Sequence, residues 1–262
     1  MKKTISFILV IIFIGCAKVP ISGRRQLNLL PETDLIAISN QQYKQFLSQA
    51  YVIENTPSAE LVKKVGSKLS AAVELYMIRN GHSKRLEGFD WEFKLVKDRL
   101  VNAWCMPGGK ICVYTGILEV TNDETGLAVV MGHEIAHAIA RHGNERLSKN
   151  IAVQMGGVAL SVAIMNKGAQ TQELFQQAYG VSSGLGALAF SRKNELESDK
   201  LGLVFMHLAG YDASKASAFW KRMAEQSSAH PEFLSTHPSD ERRIDEINIF
   251  LHSEKFKKHT SQ

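Results

Sequence analysis

Two histidines four residues apart, with a glutamate after the first, constrain this chain more than any other feature. The stretch reads His133-Glu134-Ile135-Ala136-His137. Side chains four residues apart lie on one face of an α-helix, so both imidazoles can reach a single metal ion. Zinc binds such nitrogens at about 2.0–2.1 Å, and the intervening glutamate can act as a base toward a water molecule. The spacing predicts a zinc-binding helix; a histidine-bearing helix without metal is the alternative.

The residues before this motif predict the start of a buried helix. Thr121 and Glu124 have the spacing of a capping box, and a run of mostly apolar residues follows them. We therefore expect one helix over residues 123–148, with the motif in its buried part.

A third zinc ligand must come from elsewhere in the chain. One zinc-enzyme pattern places a histidine six residues after His137, but Gly143 occupies that position. His142 lies five residues on, about 140° around the helix, so this pattern is excluded. Downstream, Glu195 and Asp199 are four residues apart and share a helix face. Glu195 could bind zinc while Asp199 orients a histidine ligand; a solvated acidic helix face is the alternative.

The zinc helix and the later acidic helix together carry a family resemblance. Residues 20–27, 102–109, 133–138 and 191–199 resemble the gluzincin metallopeptidases of the HtpX, BepA and Oma type, and these segments span most of the chain. The resemblance implies a zinc metalloendopeptidase with one Zn²⁺ per chain. It places the zinc ligands on His133, His137 and Glu195, the general base toward zinc-bound water on Glu134, and the outer acid on Asp199. Ser198 departs from the usual alanine, which should leave zinc binding intact.

The resemblance also implies roles for residues outside the zinc motif. Asn102, Ala103 and Trp104 correspond to the edge strand beside which relatives bind substrate as an additional strand. Arg192 could lie near the site. His237 matches a histidine that some relatives hold over the metal as a latency switch or that assists the transition state; it could equally be a structural residue before a helix cap at Ser239.

Length and periodicity predict one domain. A chain of 262 residues with 45% hydrophobic content can bury one sizeable core, and it shows neither repeats nor a flexible linker. Apolar periodicity predicts an α+β, predominantly α-helical fold with a small antiparallel β-sheet beside the zinc helix. We expect residues 1–15 to be a lipoprotein signal peptide, 16–30 a tether, 31–254 the metallopeptidase domain and 255–262 a polar tail.

The N-terminus predicts export and a lipid anchor. Lys2 and Lys3 precede about ten apolar residues, which are too few for a membrane span and suit a secretory signal. The signal ends at Gly15-Cys16 as a bacterial lipobox does, so we expect Cys16 to be lipidated. An unmodified Cys16 after an ordinary signal peptide is the alternative. We expect the protein to be a periplasm-facing lipoprotein of the cell envelope, anchored in the outer membrane. The apolar stretch 151–165 is expected to be a packed helix, with lipid contact as the alternative.

The cysteine and charge patterns limit the possible disulfides and the possible partners. If Gly108-Gly109 forms a two-residue turn, Cys105 and Cys112 face each other on a hairpin; a disulfide stays open, and two buried thiols are favoured. Removal of Lys2 and Lys3 with the signal lowers the formal charge from +5 to +3. Basic residues do not cluster with aromatic ones, which argues against nucleic-acid partners.

These observations favour proteolysis of unfolded or misassembled envelope proteins. A substrate that adds a strand must first be unfolded locally. The expected partners are such polypeptides, the membrane through a lipid anchor, and the outer-membrane assembly machinery. The rival hypothesis is a zinc-containing chaperone or adaptor with little proteolysis, against which the intact Glu134 argues. A prenyl-protein protease is disfavoured because its several long hydrophobic helices are missing from the sequence.

Overall fold

A computed structural model describes residues 16–154, 190–225, 237 and 241–261. The elements it describes are, in chain order, β1 (Cys16–Lys18), β2 (Arg25–Leu27), α1 (Glu32–Gln49), β3 (Val52–Ile53), α2 (Pro57–Arg79), a 3₁₀ turn (Ser83–Leu86), β4 (Glu92–Val96), β5 (Ala103–Met106), β6 (Lys110–Tyr114), α3 (Thr115–Thr121), α4 (Glu124–Ala140), α5 (His142–Gln154), α6 (Arg192–Leu208), α7 (Lys215–Glu225), α8 (Glu241–Leu251) and α9 (Glu254–Thr260). The predicted α+β, predominantly helical fold is confirmed.

The zinc-motif helix α4 lies at the centre of the core. Every residue from Gly126 to Ala140 is buried, and the helix packs against α2, α6 and strand β5. Helices α4 and α6 approach each other closely at two glycines: a Cβ placed on Gly202 would lie only 3.1 Å from the backbone carbonyl carbon of Gly132. This contact brings the backbones close enough for side chains of α4 and α6 to meet.

Two details of α4 differ from the prediction. Asp123 caps the helix and its carboxylate accepts a hydrogen bond from the Gly126 N–H at 2.7 Å, whereas Thr121 belongs to α3. The helix also ends at Arg141, which adopts the left-handed conformation at φ 58°. The predicted single helix over 123–148 is therefore two helices, α4 and α5. No glycine or proline marks the break, and non-glycine residues seldom adopt this conformation.

The sheet beside α4 is mixed, which corrects the expectation of an antiparallel one. Its strand order is β3-β4-β6-β5; β4 pairs with β6 in parallel, and the two outer pairs are antiparallel. The parallel pair arises because β6 folds back from β5 through a tight turn and inserts between β4 and β5. Strand β5 thus forms one edge of the sheet.

The turn between β5 and β6 also separates the two cysteines. Gly108 and Gly109 both have positive φ, and Met106 pairs with Lys110, so three residues lie in the turn. Cys105 is therefore opposite Ile111 and not Cys112, and neighbouring register positions place the two thiols on opposite faces. Both cysteines are buried and free. The favoured prediction of two buried thiols is confirmed. The expectation that they face each other across the hairpin, which assumed a two-residue turn, is wrong.

The segment predicted as a tether is instead packed onto the domain. Strands β1 and β2 form a hairpin, and Val19 and Ile21 are buried in the main hydrophobic core. The apolar side chains of this turn explain the packing, because burying them stabilises the fold, whereas a solvated linker would leave them exposed to water. The predicted polar tail over 255–262 is packed as well, because α9 covers most of it and its Phe256 is buried in the same core. The signal-peptide boundary stays a prediction. Residues 1–15 and most of the apolar stretch 151–165 lie outside the described residues, and none of the described helices is long and apolar enough to span a membrane.

Candidate metal centre

Four buried side chains converge where α4 and α6 meet. His133 and His137 project from α4, Glu195 from the first turn of α6, and His237 from the segment before α8. The Nε2 atoms of the two α4 histidines are 3.0 Å apart, and each lies 3.2 Å from a Glu195 oxygen. The three ligands predicted from the sequence are thus brought together.

His237 completes the cluster. Its Nδ1 atom lies 3.3 Å from both His133 Nε2 and Glu195 Oε2, and its Nε2 atom lies 3.4 Å from Glu134 Oε1. One ligand atom from each of the four clustered residues falls within 4.8 Å of the others. His237 therefore faces the metal position and the predicted base, while the proposed cap at Ser239 lies outside the described residues.

The cluster fits a tetrahedral zinc ion. Ligand atoms at about 2.0–2.1 Å from a tetrahedral centre are about 3.3 Å apart, close to the separations observed here. Among the described residues, Oε1 of Glu134 and Oε1 of Glu195 are buried and accept no hydrogen bond. Buried carboxylate oxygens are normally satisfied, so two such atoms beside a histidine cluster suit a bound cation and water.

The environment keeps Glu195 ionised and makes Glu134 more basic. Burial alone would raise the pKa of Glu195, but the neighbouring His237, His133, His137 and Arg243 hold it well below its usual value. Burial raises the pKa of Glu134, and the charges of His237 and His133 only partly offset that effect. A ligand carboxylate should stay charged, and a general base works best with a raised pKa.

Asp199 lies where the sequence predicted, beside a zinc-ligating histidine. Its Oδ1 atom is 2.9 Å from His133 Nδ1, one helical turn along α6 from Glu195. When His133 directs Nε2 toward a metal, its Nδ1–H donates to this carboxylate, which fixes the orientation of the ring.

Arg243, on α8, is a site residue that the sequence analysis missed. Its guanidinium donates to both Asp199 oxygens at 2.5 and 2.8 Å and lies 3.3 Å from Glu195 Oε2. The group is almost fully buried and stacks 3.6 Å above the Trp220 ring. In the sequence it sits in Glu241-Arg242-Arg243, which reads as an ordinary charged helix start. Nothing local distinguished it from the exposed Arg242.

His142, to which no role was assigned, supports the other α4 ligand. Its Nδ1 atom lies 3.0 Å from His137 Nδ1, and its Nε2 atom lies 2.9 Å from Glu197 Oε2. Burial lowers the pKa of His142, which favours the neutral ring. Burial would raise the pKa of Glu197, but hydrogen bonds from His142, Arg24 and Ser22 lower it to about 2. Arg141, the left-handed residue after α4, makes the contact between His142 and His137 possible, because it turns the chain so that His142 packs against α4.

The remaining predicted residues surround the cluster. Asn102 and Ala103 are buried at the start of β5, and Trp104 packs its ring against Tyr43 and Phe46, on the face away from α4. Among the described strands, none pairs with the outer edge of β5. Arg192 is exposed at the start of α6 and lines a cavity of about 700 Å³ together with Glu195 and Arg243.

Comparison with known proteins assigns this centre to a family. The sequence profile of "Peptidase family M48" matches residues 66–249, which include α4, α6 and most of α8. The chain belongs to peptidase family M48. It is 32% identical over 249 residues to mitochondrial metalloendopeptidase OMA1 of Schizosaccharomyces pombe, covering 93% of this chain and 68% of that protein.

Other relatives extend the M48 comparison. Human mitochondrial metalloendopeptidase OMA1 is 28% identical over 241 residues, covering 88% of this chain and 45% of the human protein. A putative beta-barrel assembly-enhancing protease of Vibrio cholerae is 32% identical over 162 residues, covering 58% of this chain and 33% of that protein. The chain thus spans half or less of these two longer relatives. The M48 assignment confirms the predicted resemblance, the metalloendopeptidase class and the zinc cofactor.

Proposed function

We propose that this M48 metalloendopeptidase holds zinc with His133, His137 and Glu195 and hydrolyses peptide bonds in unfolded or misassembled envelope proteins. The observation that carries the proposal is the convergence of three ligand atoms at about 3 Å separations with Glu134 beside them. When bound at such a site, zinc lowers the pKa of a water molecule toward about 7 and polarises a carbonyl oxygen.

Glu134 would manage the proton. Its Oε1 atom is buried and faces His237 at 3.4 Å, on the same side as the ligand cluster. Its raised pKa suits it to accept a proton from the attacking water and then deliver that proton to the leaving amine. Asp199 and Arg243 would hold His133 and Glu195 in position during this transfer.

Strand β5 would bind the substrate chain. It packs on α4, the helix that carries Glu134. An extended peptide added to its outer edge would be recognised through main-chain hydrogen bonds from residues 102–104. Such recognition makes few demands on side chains and selects chains that are already unfolded.

Casein cleavage distinguishes this proposal from its rival. An unfolded substrate should be degraded by the purified chain, and a zinc chelator should stop the reaction until zinc is restored. A zinc-containing chaperone or adaptor of outer-membrane protein assembly would bind casein and leave it intact. The retained carboxylate of Glu134 favours proteolysis, because a binding protein has no chemical need for a base beside its metal.

We also propose an envelope location with Cys16 as a lipid anchor. Support comes from the apolar segment that ends at Gly15-Cys16 and from the similarity to beta-barrel assembly-enhancing proteases. Intact-mass analysis of membrane-extracted protein should show a chain that begins at Cys16 and carries added acyl mass. Acyl chains contribute about 0.8 kcal/mol per buried CH₂, so several would anchor the protein firmly. A mature form that stays in the aqueous fraction with an unmodified Cys16 would contradict the anchor.

His237 would act as a latency switch. Its Nδ1 atom lies 3.3 Å from both His133 Nε2 and Glu195 Oε2, so this histidine could take the coordination position that a water molecule would otherwise occupy. His237→Ala is therefore expected to raise basal cleavage of an unfolded substrate severalfold at equal zinc content, because the competing ligand is removed. Melting temperatures should be measured in parallel. Lower activity would instead assign His237 to the transition state, and unchanged activity with lower stability would leave it a structural role.

A further inference from the structure

The two α4 histidines have different partners behind them. His133 is backed directly by the Asp199 carboxylate. His137 is backed by another histidine: its Nδ1 atom lies 3.0 Å from Nδ1 of His142, whose side chain is fully buried. The carboxylate on this side, Glu197, comes only after His142, at 2.9 Å from its Nε2 atom.

His137, His142 and Glu197 form a hydrogen-bonded series, here called the relay. When His137 presents Nε2 to a metal, hydrogen-bond chemistry allows one consistent assignment of protons along the relay. His137 Nδ1–H then donates to Nδ1 of a neutral His142, and His142 Nε2–H donates to the Glu197 carboxylate. The Ser198 hydroxyl lies 3.2 Å from the same His142 Nδ1, so the two donors share its single lone pair. A carboxylate at the end of the relay favours this tautomer, since it can only accept.

Glu197 is in turn held by the N-terminal hairpin. Arg24 donates to Glu197 Oε2 from Nε at 2.8 Å and from Nη2 at 2.6 Å, and the Ser22 hydroxyl donates to Oε1. The same guanidinium forms a two-pronged contact with Glu145 on α5 at 2.8 and 2.6 Å. The Glu145 and Glu197 side chains are similarly buried, at 3% and 5% exposure. Only Glu197 contacts a histidine of the relay.

We infer that His142 and Glu197 are positioning residues that fix His137 in its zinc-binding tautomer and orientation, with Ser22 and Arg24 of the hairpin holding Glu197 in place. The inference rests on the proposed zinc site, and it makes the segment before α1 part of the metal centre. Carboxylates that act on a metal through a ligand histidine raise the affinity for the metal without touching it.

Glu145 provides a matched control for Glu197. Replacing either acid by leucine removes one salt bridge of Arg24 and leaves the other, and both substitutions introduce an apolar side chain at a buried position. Only Glu197→Leu removes the acceptor of His142. Zinc affinity of the 262-residue chain would be measured by competition with a chromophoric chelator, with melting temperatures of the zinc-free proteins recorded in parallel. The visible spectrum of the cobalt-substituted protein would report on ligand geometry.

We expect Glu197→Leu to lose about 10–100-fold in zinc affinity and to alter the cobalt spectrum, as removal of such outer partners typically does. Glu145→Leu should lower the melting temperature and keep both the affinity and the spectrum of the wild type. Equal losses of affinity in the two variants would show that Glu197 serves only to anchor the hairpin, and wild-type affinity in Glu197→Leu would likewise overturn the inference.

Two arrangements keep the outcome unambiguous. If Glu197→Leu does not fold, it is replaced by Glu197→Gln, which keeps the shape of the side chain and removes its charge. Glu145→Gln is then the control. A loss of about fivefold or more in zinc affinity, confined to the Glu197 variant, supports the relay. Wild-type zinc binding is measured first. A wild type that binds no zinc would contradict the proposed function itself, whereas failure of the relay alone leaves the wild-type affinity intact.

Discussion

Glu134→Gln is expected to bind zinc as the wild type does and to lose about 10²–10⁴-fold in the rate of casein cleavage. The amide keeps the shape of the carboxylate but cannot accept the proton of the attacking water. Zinc should stay because the three proposed ligand atoms come from His133, His137 and Glu195. The rate should be measured on an unfolded substrate after zinc content has been matched.

The control for this variant is Glu119→Gln, which makes the same chemical change at an exposed position of α3. It should cleave casein at the wild-type rate. Cleavage by Glu134→Gln at that same rate would rule out the assigned base and, with it, the mechanism. Loss of zinc from Glu134→Gln would show instead that Glu134 belongs among the ligands.

Arg243→Leu is expected to destabilise the zinc-free protein by about 3–5 kcal/mol, the usual cost of removing one partner from a buried ion pair. The guanidinium is 1% exposed and faces Asp199 and Glu195, whose side chains are each 2% exposed. Without it, the histidines are the only partners that these two carboxylates keep among the described residues. Stacking on Trp220 is lost as well. Urea unfolding gives the free energy difference directly.

The neighbouring Arg242 offers the matched control. It is exposed one residue earlier on the same helix, so Arg242→Leu should change the free energy of unfolding by less than about 0.5 kcal/mol, as is usual for surface substitutions. Similar unfolding free energies for Arg243→Leu and Arg242→Leu would contradict a central role for the buried guanidinium.

Sequence reasoning succeeded where a short-range rule determines the geometry. Helical periodicity is enough to place His133 and His137 on one face, and likewise Glu195 and Asp199. The resemblance to the metallopeptidase family then predicted that these two helices contribute ligands to the same zinc ion. The close contact at Gly132 and Gly202 is the physical counterpart of that pattern, since it brings the two faces together.

The remaining features depend on tertiary contacts that no local pattern encodes. Arg243 becomes a site residue only because α8 packs against α6, and His142 only because Arg141 adopts a left-handed conformation. The parallel pairing of β4 with β6 depends on where the β5–β6 hairpin inserts. The partial burial of Arg24 in the hairpin likewise required a partner 173 residues away.

Metal analysis of the wild type and Glu195→Ala tests the central claim most directly. The wild-type chain should contain one zinc ion, held by His133, His137 and Glu195. Glu195→Ala should retain little zinc after dialysis and should not cleave casein, because only two of the three proposed protein ligands would remain. Full zinc occupancy in Glu195→Ala, with activity retained, would contradict this account of the site.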